Sequence, residues 1–359
     1  MKVAVDVRAL CVPTFGIGRY TRCILDILIP GHPEIKWFLY ADRPILRGYD
    51  HHDNVVTRQY PGVNKIKSLL RTQIQYARWA KADEVDVFWS PRHHLPIRLH
   101  PSIRSVVTVH DLVWRQHPET MLFANRLIEK MLMPPSLQQA DKILCVSQST
   151  ADDVVRGFPG SKSRIVITPL AASSVVEVRV PDMNKPYMLF VGTLEPRKNL
   201  VRILKAYARV KSDLAGVQLV IVGAQGWMHD IKKQIEREGL AGSVELLGYL
   251  EDDALHGYYQ QALCLLLPSI YEGFGLPALE AMSYGVPVIG SNISSLPEVI
   301  GKGGILVDPE SVAAIAAAMK KLATDPDVRQ ILAVEAKKQS DRFSWDETAK
   351  QTLEAIVGS

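Results

Sequence analysis

The sequence contains no long hydrophobic run. In 359 residues, no apolar stretch approaches the roughly 18 residues that a membrane-spanning helix needs. Residues 2–9 have the pattern of a β-strand, whereas a signal peptide has a charged start followed by a longer apolar segment. We therefore expect neither a membrane span nor a secretory leader. This pattern predicts a cytoplasmic protein.

Cysteine is scarce as well. The chain has four cysteines, and none of them has the Cys-x-x-Cys spacing of zinc and redox motifs. Three of the four lie in apolar, strand-like or helix-like segments, which favours free thiols in a reducing compartment and excludes a disulfide-stabilised scaffold. The cysteines are Cys11, Cys23, Cys145 and Cys264.

The sequence also lacks a spaced cluster of metal ligands. His51-His52 and His93-His94 have no third ligand at a suitable spacing, and both pairs are expected to be solvated loop histidines. The single Asp-x-Asp, formed by Asp325 and Asp327, lies between two predicted helices and is expected to act in capping. The sequence therefore predicts neither a metal site nor a bound cofactor.

The charge is unevenly distributed. The net charge is +4, but residues 1–180 carry 24 Lys and Arg against 16 Asp and Glu, whereas the remainder carries 18 against 22. A basic half suggests an anionic partner, such as nucleic acid, lipid headgroups or a phosphorylated substrate. No aromatic–basic RNA motif and no recognition helix accompany the charge, so no nucleic-acid partner is predicted.

The length and the repeating pattern predict two domains. A chain of 359 residues exceeds what one core usually supports. Strand–turn–helix units recur in both halves, which predicts an α/β fold of two doubly wound, Rossmann-like domains that face each other across a cleft. The predicted domains are residues 1–175 and 176–340, with a final helical segment over 341–359, and the polar segment 171–186 is the expected linker.

The central stretch of the sequence is Pro268–Glu280. It follows the apolar run 263–267, and its glycines and Pro277 predict a strand, a tight loop and a helix N-terminus. Backbone N–H groups at such a terminus bind anionic oxygens. Glu272 and Glu280 add carboxylates, which accept hydrogen bonds from sugar hydroxyls. This combination favours a site for a sugar that carries a phosphate.

A second strand-to-helix turn carries adjacent cations. Tyr187–Val191 is a predicted strand, and Arg197 and Lys198 follow it just before a predicted helix. Arginine offers a bidentate fork and lysine a compact charge, so both suit a diphosphate and can stabilise a departing nucleotide.

The first half has a similar turn at Gly16-Ile17-Gly18, placed between a strand and a helix. The dinucleotide fingerprint is not met, because Thr21 occupies its third glycine position. Further along, His110 ends the predicted strand Ser105–His110, at the edge where open α/β sheets bind ligands.

Two other helices of the first half carry specific predictions. Asn64–Ala82 has an apolar stripe and a separate basic face, which fits either a solvated domain helix or a helix docked on anionic lipid. Arg126–Gln139 contains Pro134-Pro135, which is expected to break or restart it. Ser149 is expected to cap the helix that begins near Thr150.

The motif Glu272-Gly-Phe-Gly-Leu-Pro-x-x-Glu280 resembles the Glu-x7-Glu signature of the retaining glycosyltransferases of family 4, which have the GT-B fold. The string Gly-x-x-x-x-Arg197-Lys198-Asn is similar to the phosphate-clamping motif of that family. Other motifs occur in the family's order, so the resemblance covers essentially the whole chain. It implies that the final helix crosses back to the first domain.

The resemblance also implies roles for single residues. The histidine at His110 would contact the donor sugar, the first glycine loop would approach the diphosphate, and the main chain near Tyr249 would hold the base. The residues predicted to act in catalysis are His110, Arg197, Lys198 and Glu272. The residues predicted to bind the donor are Gly16, Gly18, Gly192, Gly223, Tyr249, Leu250, Phe274, Gly275, Leu276 and Glu280.

The resemblance further implies a metal-independent hexosyltransferase that retains the anomeric configuration. Likeness to bacterial O-antigen mannosyltransferases is carried by Asp6-Val7-Arg8, Gly16-Ile17-Gly18-Arg19-Tyr20 and Gly226-Trp227. It favours GDP-mannose as donor and a saccharide or lipid-pyrophosphate-linked acceptor at the inner face of an anionic membrane. UDP-glucose and UDP-N-acetylglucosamine remain alternative donors. A GT-B nucleotide-sugar epimerase and an inactive binding protein remain alternative functions.

Overall fold

The computed structural model describes residues 1–12, 16–46, 48–60, 65–173, 185–214, 216–228 and 230–358, with residues 65–70 described by their backbone only. The chain divides into two compact units. Unit 1 comprises Met1–Leu170 together with Ser344–Ser359, and unit 2 comprises Ala171–Phe343. The predicted linker lies mostly outside the described residues.

The strands of unit 1 are β1 (Lys2–Asp6), β2 (Lys36–Ala41), β3 (Val55–Gln59), β4 (Val87–Ser90), β5 (Arg104–Val109), β6 (Lys142–Cys145) and β7 (Ile165–Ile167). The strands of unit 2 are β8 (Tyr187–Val191), β9 (Gln218–Val222), β10 (Val244–Gly248), β11 (Cys264–Leu267), β12 (Val288–Ser291) and β13 (Gly304–Val307).

The helices of unit 1 that precede unit 2 are α1 (Ile17–Gly31), α2 (Lys65–Ala82), α3 (Val113–Gln116), α4 (Phe123–Gln139) and α5 (Gln148–Gly157). The helices of unit 2 are α6 (Leu200–Val210), α7 (Ile231–Arg237), α8 (Asp252–Gln261), α9 (Leu276–Ser283), α10 (Leu296–Ile300), α11 (Val312–Thr324) and α12 (Pro326–Ser340). The last helix, α13 (Trp345–Val357), belongs to unit 1.

Both sheets are entirely parallel in the described part of the chain. The strand order is β3-β2-β1-β4-β5-β6-β7 in unit 1 and β10-β9-β8-β11-β12-β13 in unit 2. Their central strands are continuous apolar runs, such as the fully buried β8 and β11, because helices cover both faces of a parallel sheet. The predicted α/β class with two doubly wound domains is confirmed.

The strand order reverses once in each sheet, between β1 and β4 in unit 1 and between β8 and β11 in unit 2. At such a point the two connecting loops leave in opposite directions, and the crevice between them is where open α/β sheets bind ligands. The loops that follow these four strands are therefore the first places to search for a site.

Two local predictions in unit 1 are wrong. Pro134-Pro135 does not break the helix, because α4 runs without interruption through both prolines. The buried side chains of Met133 and Leu137 hold α4 to the core on either side of them, which offsets the two lost hydrogen bonds. Ser149 is not a cap either, since Ser147 Oγ accepts the hydrogen bond from Thr150 N at the start of α5.

None of the described helices is both long enough and apolar enough to cross a bilayer. Several of the exposed apolar side chains of unit 1 lie on one helix, α4. On α4, Phe123, Leu127 and Met131 are spaced four residues apart, and all three are exposed. Residues at this spacing share one side of a helix, so α4 presents an apolar stripe to solvent.

Candidate active site

The cations predicted to bind a diphosphate lie at the strand-order reversal of unit 2. Arg197 and Lys198 follow β8, and Glu272 follows β11. Asn199 joins the two loops, because its side-chain amide donates to the carbonyl oxygens of Pro268 and Pro309 at 2.8 and 2.7 Å. The structure thus brings Glu272 to two neighbouring cations that lie more than 70 positions earlier in the sequence.

Glu272 is clamped between both cations. Lys198 Nζ lies 2.6 Å from Glu272 Oε1, and Arg197 Nη1 lies 3.0 Å from Glu272 Oε2. Ser269 Oγ donates a further hydrogen bond to Oε1 at 2.7 Å. Glu195, on the other side, lies 2.6 Å from Arg197 Nη2. Glu272, Lys198 and Glu195 are all buried.

The charges of this cluster are strongly coupled. Burial alone would raise the pKa of the Glu272 carboxyl, but Lys198 and Arg197 outweigh it and lower the pKa to about 2. Burial and the adjacent Arg197 lower the pKa of Lys198, and together they outweigh the attraction of Glu272 and Glu195. An incoming dianion would compete with these two carboxylates for two fixed cations in a partly desolvated place, where electrostatic attraction is strong.

Two adjacent serines, Ser294 and Ser295, hold the loop that carries Glu272. Ser294 Oγ accepts from Glu272 N at 3.1 Å, and Ser295 Oγ donates to the carbonyl oxygens of Glu272 and Phe274 at 2.9 and 2.8 Å. Gly275 follows with φ of 102°, and a Cβ there would lie 2.5 Å from Leu296 Cδ2. Only glycine fits this approach to the N-terminus of α9, where Leu276 is the first residue.

Glu280 lies on α9, four residues after Leu276 and so about one helical turn beyond that N-terminus. It is buried, and Tyr259 Oη donates to its Oε2 at 2.8 Å. Glu272 and Glu280 therefore have different surroundings: the first carboxylate is paired with cations, and the second accepts from a neutral phenol.

The ends of β8, β9 and β10 are in close contact. Gly192 N donates to Val222 O at 3.0 Å, and Gly223 N donates to Gly248 O at 2.7 Å. A Cβ on Gly223 would lie only 1.9 Å from Gly192 O, so glycine is required there. Tyr249 and Leu250 come directly after β10, and Tyr249 is 40% exposed. These predicted donor-binding residues thus lie along one edge of the sheet, and Gly192 is the one among them that lies next to Lys198 in the described contacts.

In unit 1, His110 follows β5 and lies beside the first glycine turn. The Tyr20 ring on α1 packs edge-on against the His110 ring, with centroids 5.0 Å apart. Gly16 caps α1, and Gly18 is buried within its first turn. Pro13, Thr14 and Phe15, the other part of the predicted loop, lie outside the described residues.

His110 is held as a neutral imidazole. Its Nε2–H donates to Pro91 O at 2.9 Å, which leaves Nδ1 as the acceptor nitrogen. Burial, together with His93, lowers the pKa of His110 to about 3. At neutral pH the ring can therefore accept a hydrogen bond from a ligand hydroxyl through Nδ1, but it carries no charge.

The prediction that His93 and His94 are solvated is wrong. Both are buried, and their ring nitrogens lie 3.2 and 3.0 Å from the same oxygen, Oε2 of Glu129 on α4. His93 Nε2 also accepts from His110 N at 3.1 Å. His51 and His52 lie at the surface as expected. In the described ranges no group of three or more His, Cys, Asp or Glu side chains could hold a metal ion.

Sequence reasoning missed Glu195, Ser269, Tyr20 and Glu129. Each of these residues makes its contact only in the folded chain, and none of them belongs to a sequence motif with a distinctive residue spacing. Glu195 alone had a usable signal, because it precedes Arg197 at the same predicted turn.

Two family profiles match the chain: Glycosyltransferase Family 4 over residues 27–171 and Glycosyl transferases group 1 over residues 176–339. The O-antigen chain mannosyltransferase B of Escherichia coli is 33% identical, over 99% of each chain. The serotype-specific mannosyltransferase WbdA of Escherichia coli is 30% identical over 71% of this chain and 33% of that protein. The structure of Anabaena Alr3699/HepE in complex with UDP and glucose has the same fold, with a TM-score of 0.77, 17% identity and full coverage of both chains.

The fold is therefore the GT-B fold, built from two Rossmann-like domains, and the protein is a glycosyltransferase. Within that class the chain belongs to glycosyltransferase family 4, the group 1 glycosyl transferases. Enzymes of this kind use a nucleotide-sugar donor and a saccharide acceptor.

Proposed function

We propose that this enzyme transfers mannose from GDP-mannose to a lipid-linked saccharide in bacterial O-antigen synthesis, with retention of the α configuration. The buried cluster of Arg197, Lys198 and Glu272 is the observation that carries the proposal for the chemistry. The two mannosyltransferases that resemble the chain support the choice of sugar and of pathway.

In the proposed reaction, the bond between the sugar C1 and the diphosphate oxygen breaks, and the acceptor oxygen forms its bond to C1 on the same face. The acceptor proton passes to the departing phosphate. Arg197, Lys198 and the amides of Gly275 and Leu276 stabilise the developing charge on that phosphate. Because these fixed groups supply the positive charge, no divalent metal is required.

The other residues bind and orient the donor. Glu272 accepts hydrogen bonds from sugar hydroxyls once the diphosphate occupies its two cations, and neutral His110 accepts one through Nδ1. Glu280 holds the ribose. The main chain around Gly223 and Leu250 holds the base, and Tyr249 offers an exposed ring beside it.

A donor panel tests the proposal. Release of nucleotide is measured for GDP-mannose, UDP-glucose and UDP-N-acetylglucosamine at equal concentrations, with and without a lipid extract as acceptor and with and without EDTA. We expect the fastest acceptor-dependent release with GDP-mannose, unchanged by EDTA. Faster release with a UDP-sugar would end the assignment of mannose, and a requirement for magnesium or manganese would refute the metal-free mechanism.

A UDP-sugar is the second candidate donor. The observation in its favour is the structural likeness to Alr3699/HepE, which was solved with UDP and glucose. At 17% identity that likeness concerns the fold alone, whereas the mannosyltransferase relative is 33% identical over nearly the full length. Acceptor-independent turnover in the same panel would instead favour an epimerase or a hydrolase.

We further propose that unit 1 binds the surface of an anionic membrane. The apolar stripe of Phe123, Leu127 and Met131 on α4 is exposed, and residues 1–180 carry the excess of positive charge. Apolar insertion combined with attraction to anionic headgroups is how peripheral helices bind lipid surfaces.

A further inference from the structure

The loops at the strand-order reversal of unit 1 enclose a polar cavity. The cavity has a volume of about 460 Å³, and Arg8 after β1 and Arg92 after β4 contribute to its lining. His93, Asp111 and Glu129 also line it. This position corresponds to that of the cation cluster in unit 2, and it is the usual ligand position in an open parallel sheet. The roles proposed above leave this cavity without a ligand.

Asp42, Asp111 and Glu129 line this cavity as well, but Arg92 is its one arginine without a carboxylate at hydrogen-bond distance among the described residues. The other two arginines have carboxylate partners, since Arg8 Nε lies 2.9 Å from Asp6 Oδ1 and Arg43 Nε lies 3.2 Å from Asp42 Oδ1. The half-buried guanidinium of Arg92 makes no hydrogen bond or ion pair with any residue that the structure describes. Burial and the nearby Arg8 lower the pKa of Arg92, so an anion beside it would relieve an unfavourable charge.

A larger, apolar groove begins at the wall of this cavity. It has a volume of about 740 Å³, and Ile128 of α4 lines both spaces. Ile74 of α2, Ile97 and Met131 of α4 line the groove, although they are 54%, 55% and 64% exposed. Several exposed apolar side chains around one groove are typical of a binding site for an apolar ligand.

The charged residues that line the groove are all basic. They are Arg78 and Lys81 of α2 and Arg98. No carboxylate lines the groove among the described residues. A groove with an apolar floor and basic rims, next to an unpaired arginine, is complementary to a molecule that has a hydrocarbon chain at one end and an anionic group at the other.

We infer that unit 1 binds an amphiphilic acceptor, with a phosphate or diphosphate group at Arg92 and the attached hydrocarbon chain in the groove between α2 and α4. The identification of this ligand as the acceptor rests on the proposed function. The site itself rests on the geometry of unit 1.

Binding of farnesyl diphosphate to the full-length protein tests the inference. It is measured by calorimetry below the aggregation concentration of this probe, with farnesol and inorganic diphosphate as the two partial probes. We expect farnesyl diphosphate to bind at least tenfold more tightly than either partial probe. Equal affinity for farnesyl diphosphate and inorganic diphosphate would overturn the inference, because the groove would then contribute nothing.

Matched variants separate the two parts of the site. Arg92→Gln should weaken farnesyl diphosphate binding at least tenfold and leave farnesol unchanged, whereas Lys130→Gln, an exposed charge on α4, should change neither. Ile74→Gln combined with Met131→Gln should weaken both farnesyl probes and leave diphosphate unchanged. Ile331→Gln in unit 2, at a site 63% exposed, is the apolar control.

Two further arms remove ambiguity. Arg197 and Lys198 offer diphosphate a second binding place, so the titration is repeated in the Arg197→Ala/Lys198→Ala double variant. If this double variant loses farnesyl diphosphate binding while Arg92→Gln keeps it, the inference is contradicted. If the Ile74/Met131 variant loses binding to anionic vesicles but keeps full affinity for farnesyl diphosphate, the groove contacts a bilayer and the inference is wrong. No sugar donor is used, so failure of GDP-mannose in the donor panel would not affect this result.

Discussion

Lys198 Nζ lies 2.6 Å from Glu272 Oε1, although the two residues are 74 positions apart in the chain. Both side chains are buried, and Arg197 contacts the other oxygen of the same carboxylate. In the protein alone, the cations proposed to receive a diphosphate are therefore balanced by Glu272 and Glu195. Under the proposed function, the donor phosphates take the place of Glu272 at these cations, and its carboxylate then accepts from the sugar.

We expect Arg197→Ala and Lys198→Ala each to remove about 2–4 kcal/mol of transition-state stabilisation, comparable to the loss of an oxyanion donor. The measurement is kcat/KM for sugar transfer. Lys205→Ala, an exposed lysine on α6, is the control for lost charge. Thermal unfolding of each variant is needed as well, because Lys198→Ala leaves Glu272 with one cation fewer. A folded double variant with turnover within a few-fold of the wild type would contradict the proposed role.

The two glutamates of the motif should separate kinetically. Glu272 is proposed to contact the transferred sugar near the reacting carbon, so Glu272→Ala should mainly lower kcat. Glu280 is proposed to hold the ribose, so Glu280→Ala should mainly raise the KM for the donor. Tyr259→Phe is a matched variant, since it removes the hydroxyl that donates to Glu280 Oε2 and should move KM in the same direction by less. The opposite pattern for the two glutamates would mean that their roles are exchanged.

The lowered pKa of Glu272 predicts a specific loss of stability in acid. A carboxyl whose pKa falls on folding, here from 4.5 to about 2, stabilises the native state above pH 4.5, and this contribution is lost as the pH falls toward 2. Urea unfolding of the wild type and of Glu272→Gln should therefore differ more at pH 7 than at pH 3, by an amount on the order of 2–3 kcal/mol.

The same acid range protonates His110, whose pKa of about 3 also lies below its ordinary value. A protein with a buried neutral histidine loses folding stability as the pH falls below about 6.5, because the histidine of the unfolded chain then binds a proton more readily than that of the folded chain. This effect is present in both the wild type and Glu272→Gln, so it cancels in the difference between their free energies of unfolding. A difference between wild type and Glu272→Gln that does not vary between pH 7 and pH 3 would show that Glu272 is not clamped as described.

Gly223→Ala tests the close contact between strand ends. The added Cβ would lie 1.9 Å from the backbone oxygen of Gly192, which cannot rotate away. We expect a loss of about 1–3 kcal/mol in the free energy of unfolding, together with a raised donor KM. Gly160→Ala, with no atom within 4 Å of the new Cβ, is the control. A stable Gly223→Ala variant with unchanged KM would remove Gly223 from the donor site.

The proposed membrane contact can be tested by sedimentation with liposomes. Vesicles rich in anionic lipid should retain the protein at low salt and release it at high salt, because attraction between exposed charges is screened. At low salt, Phe123→Gln combined with Leu127→Gln should be retained less than the wild type, since both side chains are exposed on α4. Retention that is independent of salt, or none at low salt, would argue against the proposal.

Regular elements of the sheets could be predicted from the sequence closely. The strand Tyr187–Val191 has the predicted bounds, and the strand predicted over Ser105–His110 is observed one residue earlier, as Arg104–Val109, because the apolar patterns and flanking turn residues agree with the fold. The outcome at Pro134-Pro135 could not be predicted this way. Local rules favour a break there, but packing of Met133 and Leu137 in the core outweighs them.

The candidate site was predictable only in part. Arg197, Lys198 and Glu272 stand out because rare residue types occur at glycine-rich turns after apolar strands. The burial of His93 and His94 was not predictable, because it depends on Glu129, a residue 36 and 35 positions away on a different element. That Arg92 has no hydrogen-bonded carboxylate partner among the described residues is also visible only once its neighbours in the fold are known.

Unit 1 is assembled from two separate pieces of the chain. Thr348, near the start of α13, donates to the carbonyl oxygen of Pro169, and α13 lies against α1 and β6. On the ribosome, Met1–Leu170 is synthesised before all of unit 2 and long before Ser344–Ser359, so this part of unit 1 is exposed while it still lacks its last helix. Chaperone demand during synthesis should accordingly concentrate on the N-terminal part, which emerges first and is completed last.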